Sequence, residues 1–450
     1  MFVRFYACCR RVRELDDVPE KPTVRRTLKL HFDDLKNFLR RHPSRPSDFQ
    51  FQVHPTFRNM KVKPWHLLDT LPEITRHTSP GLLWKKLGYK TKGMVIDSKE
   101  GVNMLHSINH KYKTQSNVQM PACLVVPTSC TSPDGSKVRL IWSFPIDITV
   151  SEAMFGIPII KALPVDYVPS PETHHDTFCG TGAKSFDFSR FDGTVPRWLI
   201  EEAFKHVWNM IDTSSYAATP STPYECKPYS RNSLKVLFNR LKHYFIHTPF
   251  RVKPDGHVFH KHEGVPSGSY FTNIIDTLCS YAIMRYIHDI DCSSQDVTYG
   301  DDCHTTYCSC DNGTLQKRAK DLGFTLKIEE PNSHGCLTYC KVECHRGKRF
   351  IPGQSFRNIL ENCDQHYRSD VAVCMVLRAT TRRQASAMVA EVRTPVSSRP
   401  PHWVRKMLAR GQKYAHPDPV IDPVDPFDTE VILECLPGWV REIYYGGYRT

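Results

Sequence analysis

The sequence predicts an α+β fold in which helices accompany antiparallel strands. Three observations support this prediction. Residues 181–213 have the order strand, turn, helix, and residues 269–288 place apolar side chains at helical spacing. Residues 295–309 alternate around Gly300 as a β-hairpin does.

The composition is that of a folded, basic protein. The chain has 450 residues, of which 40% are hydrophobic and 11% aromatic, so a large core is expected and wholesale disorder is excluded. At roughly 150 residues per domain, this length predicts about three subdomains or one elaborate domain. The net charge of +13 favours an anionic partner, nucleic acid before membrane.

Neither a membrane span nor a secretion signal is expected. No stretch approaches the roughly 18 apolar residues that a membrane helix needs. The N-terminus has only a short apolar run, broken by Arg4, and lacks a cleavage site. The 17 cysteines are therefore expected to be reduced.

The other segments are weaker signals. In chain order, we expect a short helix near 28–40, a Pro- and Gly-rich region over 61–180 with a strand at 137–142, a polar and basic segment over 214–262, basic helices over 370–410, and an extended segment at 417–426.

Three segments carry the residues that indicate chemistry. Residues 185–196 place Asp187 at the end of an apolar strand and Asp192 beyond the following turn. Residues 264–273 form a Ser-Gly loop that runs into the predicted helix. Residues 298–303 place Asp301 and Asp302 at the tip of the hairpin, where Gly300 permits a tight turn.

Carboxylates that converge from separate strands suit phosphoryl transfer. Two divalent cations about 3.5–4 Å apart can hold the attacking and leaving oxygens of an in-line displacement. Mg²⁺ prefers hard oxygen ligands, so two or three carboxylates and the substrate phosphates suffice. A single Gly-Asp-Asp tip is usually an ordinary turn. Three such segments in order favour a metal site built on Asp187, Asp301 and Asp302.

The three segments resemble motifs A, B and C of viral RNA-dependent RNA polymerases. The strings Asp-Phe-Ser-Arg-Phe-Asp and Gly-Val-Pro-Ser-Gly-Ser-Tyr-Phe-Thr-Asn are most similar to those of partitivirus-like double-stranded RNA viruses. Upstream, Ser79-Pro-Gly81 with residues 88–92 looks like motif G and its sequel, and Lys137-Val-Arg139 followed by Glu152 looks like motif F. The resemblance covers roughly residues 75–350.

The resemblance implies a right-handed fold of fingers, palm and thumb, with an antiparallel-sheet palm. It implies an N-terminal arm on the fingers and thumb (1–60), fingers (61–180), palm with motif A (181–213), a fingers insertion (214–262), palm with motifs B to E (263–345), thumb (346–412) and an extended C-terminal segment (413–450).

It also implies a role for each matching residue. Asp187, Asp301 and Asp302 would bind two Mg²⁺ ions, or Mn²⁺, while Asp192 and Asn273 would read the ribose 2′-OH. Ser267 and Gly268 would form a loop that senses the nascent base pair, with Thr272 on the substrate side. Lys137 and Arg139 would hold the triphosphate, because an Arg fork grips phosphate oxygens.

The remaining motifs match more loosely. Lys327 is the candidate general acid for pyrophosphate in motif D, with an ordinary exposed strand lysine as the alternative. Tyr339-Cys-Lys341 resembles the primer-grip turn. The residues expected to contact RNA are Ser79, Gly81, Lys341, Arg378, Arg382 and Arg405.

Two sets of cysteines have spacings that partly suit metal ligands. The first contains Cys336, Cys340, Cys344 and His345, and the second contains Cys303, Cys308 and Cys310. Structural zinc usually has paired Cys-x2–4-Cys ligands, which these spacings match only in part. The sequence therefore favours thiols over zinc in both sets.

The implied function is template-directed RNA synthesis from ribonucleoside triphosphates, in replication and transcription of a viral genome. The implied partners are the RNA template, the product duplex and a capsid protein, with no membrane, in the host cytoplasm inside the virion. Two alternatives stay open. A reverse transcriptase shares the Asp-Asp tip but excludes ribose with a bulky side chain, and a decayed polymerase scaffold would bind RNA without catalysis.

Overall fold

The computed structural model describes residues 32–132, 135–164, 182–219, 222, 226–289, 291–331, 337–340, 342–345, 348–350, 360, 368–376, 387–388, 390–392 and 438. The chain divides into two compact units. The larger unit contains residues 26–164 and 186–328, and the smaller contains residues 1–25, 165–185 and 329–450.

The helices among the described residues lie mainly in the larger unit. They are α1 Phe32–Leu39, α2 Pro55–Arg58, α3 Leu67–Thr70, followed by a 3-10 turn at Leu71–Glu73, α4 Leu82–Lys86, α5 Lys92–Asp97, α6 Lys99–Thr114, α7 Ile146–Ala162, α8 Phe191–Thr194, α9 Arg197–Asn209, α10 Arg231–Ile246, α11 Thr272–Ile287, α12 Asn312–Asp321 and α13 Arg368–Val376. None of these described helices is both long and apolar enough to cross a lipid bilayer.

The strands of the described residues form three sheets. They are β1 Cys123–Ser132, β2 Gly135–Ser143, β3 Lys184–Phe188, β4 Pro249–Arg251, β5 Phe259–His260, β6 Gln295–Tyr299, β7 Asp302–Thr306, β8 Leu326–Glu329, β9 Leu337–Tyr339, β10 Val342–His345 and β11 Lys348–Phe350. The sheet orders are β2-β1-β4-β5, β6-β7-β3-β8 and β11-β10-β9. The pairs β1–β2, β6–β7, β4–β5, β9–β10 and β10–β11 are antiparallel, whereas β1 and β4 run parallel.

Local capping explains where several helices begin. The Ser98 hydroxyl accepts a hydrogen bond from the Gly101 amide at the start of α6, and the Asp311 carboxylate accepts one from the Thr314 amide at the start of α12. Such a side chain satisfies a backbone donor that the first helical turn leaves without a partner. These caps therefore determine the first residues of α6 and α12, which the hydrophobic pattern alone does not define.

Two helices lie at the centre of the larger unit's core. Every residue of α7 from Ile146 to Ile159 is buried, as expected of a helix packed on all sides. In α11, most residues from Ile274 to Ile287 are buried. Phe204 of α9 makes edge-on ring contacts with Phe245 and Phe271 at centroid distances of 5.1 and 5.4 Å, which join α9 to α10 and α11.

The structure agrees with the strongest sequence predictions and departs from weaker ones. The hairpin around Gly300, the helix within 269–288, the strand at 137–142 and the order strand, turn, helix within 181–213 are all confirmed. The described part of region 61–180 contains five helices, α3 to α7, that its Pro and Gly content obscured. The extended segment at 417–426 and most of the predicted thumb lie outside the described residues.

Candidate active site

The tip of the β6–β7 hairpin presents two adjacent carboxylates. Tyr299 pairs with Asp302 at the end of the ladder, and Gly300 adopts a left-handed φ of 66° in the turn between them. Glycine adopts this conformation at little cost, whereas a Cβ at this position would lie 3.2 Å from Nδ2 of Asn273. The side chains of Asp301 and Asp302 are exposed at this tip.

Helix α11 fixes the position of the hairpin tip through hydrogen bonds between side-chain hydroxyls and backbone groups. The Gly300 amide donates to the Thr277 hydroxyl at 2.9 Å, and the Ser280 hydroxyl donates to the Gly300 carbonyl at 2.8 Å. The Thr298 hydroxyl also donates to the Thr277 carbonyl at 2.9 Å. Buried polar groups of the turn are therefore satisfied by α11, which starts with Thr272 and Asn273.

Asp187 lies on the strand next to the one that carries Asp302. Strand β3 is placed between β7 and β8 in its sheet. Phe186 and Phe188 are buried while Asp187 between them is exposed, as the two-residue period of a strand requires. The structure thus places the first and third predicted metal-binding segments on neighbouring strands.

Asp192 is joined directly to the Ser-Gly loop. The Ser267 hydroxyl donates a short hydrogen bond to the Asp192 carboxylate. The Asp192 carbonyl accepts from the Val265 amide at 2.6 Å. A Cβ at Gly264, whose φ is 79°, would lie 2.6 Å from that same carbonyl, so glycine allows the two backbones to approach. The segments that resemble motifs A and B therefore form one hydrogen-bonded unit.

The Ser-Gly loop is also held by strand β2. The Trp142 amide donates to the Ser267 carbonyl at 3.1 Å. Gly268 has a φ of 135°, and a Cβ there would collide with the Trp142 carbonyl oxygen. The Thr272 hydroxyl donates to the Pro266 carbonyl at 2.8 Å and closes the other end of the loop. These contacts hold the loop against the strand that carries Lys137 and Arg139.

Glu152 of α7 is a buried carboxylate that accepts hydrogen bonds from two residues of the same loop. Its Oε2 accepts hydrogen bonds from the Ser269 hydroxyl at 2.8 Å and the Tyr270 amide at 2.9 Å, while Oε1 has no partner among the described residues. Burial raises the pKa of Glu152 to about 8, against the opposing effects of Ser269, Tyr270 and the Lys92 charge.

Asp276 is an acidic residue of the site that sequence reasoning missed. It is 4% exposed, and its Oδ1 has no hydrogen-bond partner among the described residues. Burial, then the charges of Asp192 and Asp301, raise the pKa of Asp276 well above its usual range. The signal was its position three residues after Asn273, which puts both on one helix face. The structure thus brings Asp192, Asp276 and Asp301 within electrostatic range of one another.

The predicted triphosphate-binding, general-acid and motif G residues lie on other elements. Lys137 and Arg139 lie on β2, where their backbones pair with Cys130 and Thr128 of β1. Lys327 is an exposed residue of β8. In the predicted motif G, the Ile146 amide donates to the Pro80 carbonyl at 2.9 Å, and a Cβ at Gly81 would lie 2.7 Å from Cα of Pro145. Ser79 is half-buried beside it.

Several predicted RNA contacts fall outside the described residues. These are Lys341, Arg378, Arg382 and Arg405. Cys340, which precedes Lys341, has a left-handed φ of 49° in the turn between β9 and β10. Tyr339 pairs with Val342 across this connection, and the primer grip with Lys341 stays a prediction.

The donor set at the hairpin suits a hard divalent cation. Asp187, Asp301 and Asp302 offer exposed carboxylate oxygens from adjacent strands. Oxygen ligands of this kind are those that Mg²⁺ and Mn²⁺ prefer.

Parts of this chain are similar in sequence to known viral RNA-dependent RNA polymerases. The family model for viral RNA-dependent RNA polymerases matches residues 167–343. The RNA-directed RNA polymerase of Cryptosporidium parvum virus 1 (strain KSU-1) is 28% identical over 167 residues, which are 33% of this chain and 28% of the relative. The chain therefore matches little more than a quarter of that relative's length.

Solved structures show the same fold. The RNA-dependent RNA polymerase of a human picorbirnavirus superposes with a TM-score of 0.54 at 13% identity, over 80% of this chain and 72% of that one. Its insertion-loop deletion mutant gives a TM-score of 0.55 at 14% identity, over 92% and 78%. The fold, with its mixed helices and antiparallel sheets, is that of viral RNA-dependent RNA polymerases. The two sequence matches are likewise with viral RNA-dependent RNA polymerases, each over a little more than a third of this chain or less.

Proposed function

We propose that this chain is an RNA-directed RNA polymerase that extends RNA on an RNA template from ribonucleoside triphosphates. One observation carries the proposal. The hairpin tip with Asp301 and Asp302 is hydrogen-bonded to α11, the helix that presents Asn273, and α11 continues from the loop that binds Asp192. Metal-binding and ribose-reading groups are thereby held in one polar assembly of the larger unit.

The proposed metal ligands are Asp187, Asp301 and Asp302, holding two Mg²⁺ ions or Mn²⁺. When bound, such ions stabilise charge on the attacking 3′-hydroxyl and on the pyrophosphate that leaves the α-phosphorus. The protein's own part is to fix the carboxylates. The Thr277 and Ser280 hydrogen bonds to Gly300 hold Asp301 and Asp302 in place before substrate arrives.

The proposed ribose site consists of Asp192 and Asn273. The Ser267 hydroxyl donates to one oxygen of the Asp192 carboxylate. This hydrogen bond would orient the carboxylate so that it can bind a substrate hydroxyl. A 2′-OH donates and accepts a hydrogen bond, so a deoxyribose would leave this pair unsatisfied. This arrangement favours ribonucleotides and argues against a reverse transcriptase.

Other proposed roles follow the resemblance of individual residues. Lys137 and Arg139 would hold the triphosphate, Lys327 would protonate the pyrophosphate, and Gly268 with Ser267 would respond to the base pair. The exposure of Lys327 on β8 is compatible with access to a substrate. The fingers, palm and thumb, the capsid partner and residence in the cytoplasm inside a virion remain proposals that rest on family resemblance.

The decisive experiment is RNA synthesis by the purified chain with Mg²⁺, ribonucleotides and single- or double-stranded RNA, with and without primer. Asp301→Ala should reduce the rate by at least about 10³-fold, because it removes a metal ligand. Asp255→Ala, at an exposed loop position outside the site, is the matched control. Near-normal synthesis by Asp301→Ala would refute the assignment.

Two further outcomes identify the alternatives. Faster incorporation of deoxyribonucleotides than ribonucleotides would identify a reverse transcriptase. RNA binding without metal-dependent synthesis by the unaltered protein would identify a decayed scaffold.

A further inference from the structure

Three cysteines meet at the open end of the β6–β7 hairpin. The Sγ atoms of Cys292, Cys308 and Cys310 all lie within 4.8 Å of one another, and all three residues are buried. Cys292 lies between α11 and β6, whereas Cys308 and Cys310 lie between β7 and α12. The three sulfur atoms thus lie where the chain segments that enter and leave the hairpin meet. Cys303, which the sequence grouped with the latter two, lies within β7 outside this cluster.

The environment of these thiols suits metal-bound thiolates. None of the three is in a disulfide. The Asp289 amide donates to Cys310 Sγ at 3.3 Å, and the Ser309 hydroxyl donates to Cys292 Sγ at 3.9 Å. Donors around sulfur stabilise its anionic form and orient it toward a cation.

A buried histidine lies near Cys308. The His288 side chain is fully buried, and its Nδ1 lies 3.5 Å from Oδ2 of Asp296. Neither ring nitrogen makes a hydrogen bond of ordinary geometry to a described residue, and the ring interacts electrostatically with Cys308. A metal-bound histidine is commonly held by a carboxylate in this manner, with its other nitrogen on the metal.

We propose that Cys292, Cys308 and Cys310 bind one Zn²⁺ ion, with His288 as the fourth ligand. Three thiolates and one imidazole form a common tetrahedral set for structural zinc, and thiolates select zinc over the hard ions of a carboxylate site. A Zn–S bond of about 2.3 Å places tetrahedral sulfur atoms about 3.8 Å apart, so the cluster needs to contract only slightly. His288 lies outside the 4.8 Å group, so its ring would have to turn toward the sulfur atoms to complete the ligand set.

The proposed ion is structural. Cys308 follows Asp302 by six residues, and β7 covers Asp302–Thr306, so at about 3.3 Å per residue of strand it lies up to about 20 Å from the hairpin tip. The zinc is therefore distinct from the divalent ions proposed at Asp301 and Asp302. It joins the two loops at the open end of the hairpin and so stabilises the register of β6 against β7.

The test measures metal content of the full-length chain. Protein purified with reductant and Zn²⁺ is passed through a weak chelator and desalted, and zinc is quantified by mass spectrometry. We expect one ion per chain in the unaltered protein, none in Cys308→Ala, and one in Cys279→Ala, a buried cysteine of α11 outside the cluster. His288→Ala should weaken zinc binding at least about tenfold.

A second measurement does not depend on folding of the variants. Co²⁺ added to the unaltered apoprotein should give thiolate-to-metal charge-transfer absorption, which carboxylates at the hairpin tip cannot produce. Addition of Zn²⁺ should abolish this absorption, and EDTA should lower the melting temperature of the zinc-loaded, unaltered protein. Absence of the charge-transfer band, or a Cys292–Cys310 disulfide in protein kept under reductant, would overturn the proposal.

Discussion

Ser269 donates a hydrogen bond of 2.8 Å from its hydroxyl to the fully buried carboxylate of Glu152. The Tyr270 amide donates to the same oxygen at 2.9 Å. Because Glu152 lies on α7 and Ser269 on the loop before α11, this carboxylate fixes the loop against the core. A buried acid that serves as an acceptor for two donors is costly to ionise and costly to remove.

The buried position of Glu152 predicts a specific pH dependence of stability. Burial raises its pKa from 4.5 to about 8 in the folded protein, so between these values the folded chain binds more protons than the unfolded chain. The contribution of Glu152 to the free energy of unfolding is therefore complete below pH 4.5, falls as the pH rises through about 8, and is lost above it.

Glu152→Gln should remove this dependence, because the amide does not titrate. We expect the melting temperature of the variant, relative to the unaltered protein at the same pH, to increase between about pH 5 and about pH 8. Differential scanning fluorimetry across this range measures it, with Glu329→Gln at an exposed position as the control. A difference between variant and unaltered protein that stays constant with pH would contradict the prediction.

Thr277→Val tests whether α11 holds the hairpin tip. The change keeps the shape of the side chain but removes the acceptor for the Gly300 amide. Leaving a buried donor unsatisfied costs about 1–3 kcal/mol. We expect lower thermal stability and at least about tenfold slower RNA synthesis, because Asp301 follows Gly300 directly. Thr114→Val, at the exposed end of α6, is the matched control. Equal activity of the two variants would show that the tip is positioned without Thr277.

The parts of the site that could be predicted from sequence are those with a local pattern. The apolar spacing of residues 274–287 defined α11, and the alternation around Gly300 defined the hairpin, because each element satisfies its own backbone within a short segment. The strand that carries Asp187 could be predicted for the same reason. In the structure, the strands that carry Asp187 and Asp302 are neighbours in one sheet.

The parts that could not be predicted depend on contacts between distant segments. Glu152 and Ser269 are 117 residues apart, so no local sequence pattern predicts their hydrogen bond. Asp276 looks like an ordinary helix residue until the structure buries it near Asp192 and Asp301. Cys292 precedes Cys308 by a whole hairpin, and only the antiparallel pairing of β6 with β7 brings the two together.

Gly268→Ala tests the close approach of the Ser-Gly loop to strand β2. Its φ of 135° is unfavourable for alanine, and the new Cβ would collide with the Trp142 carbonyl, so the loop must move. Gly88→Ala is the matched control, because Gly88 has a φ of 92° but no heavy atom within 4 Å of the position that a Cβ would take. We expect Gly268→Ala to reduce RNA synthesis much more than Gly88→Ala, as measured by single-nucleotide extension. Equal losses would indicate that backbone strain alone matters.

Asp192 and Ser267 provide the test of sugar selection. If their hydrogen bond orients the carboxylate toward the ribose, Asp192→Ala should lower the ratio of kcat/KM for ribonucleotides over deoxyribonucleotides by at least about tenfold. Ser267→Ala should lower it less, since the carboxylate remains but loses its donor. The double variant should resemble Asp192→Ala alone, because Ser267 acts on selectivity through Asp192 and the two effects are not additive.

Single-turnover incorporation of matched nucleotide pairs measures these ratios, with Asp255→Ala as the control for loss of an exposed carboxylate. Additive losses in the double variant would show that Ser267 acts on the nucleotide independently of Asp192.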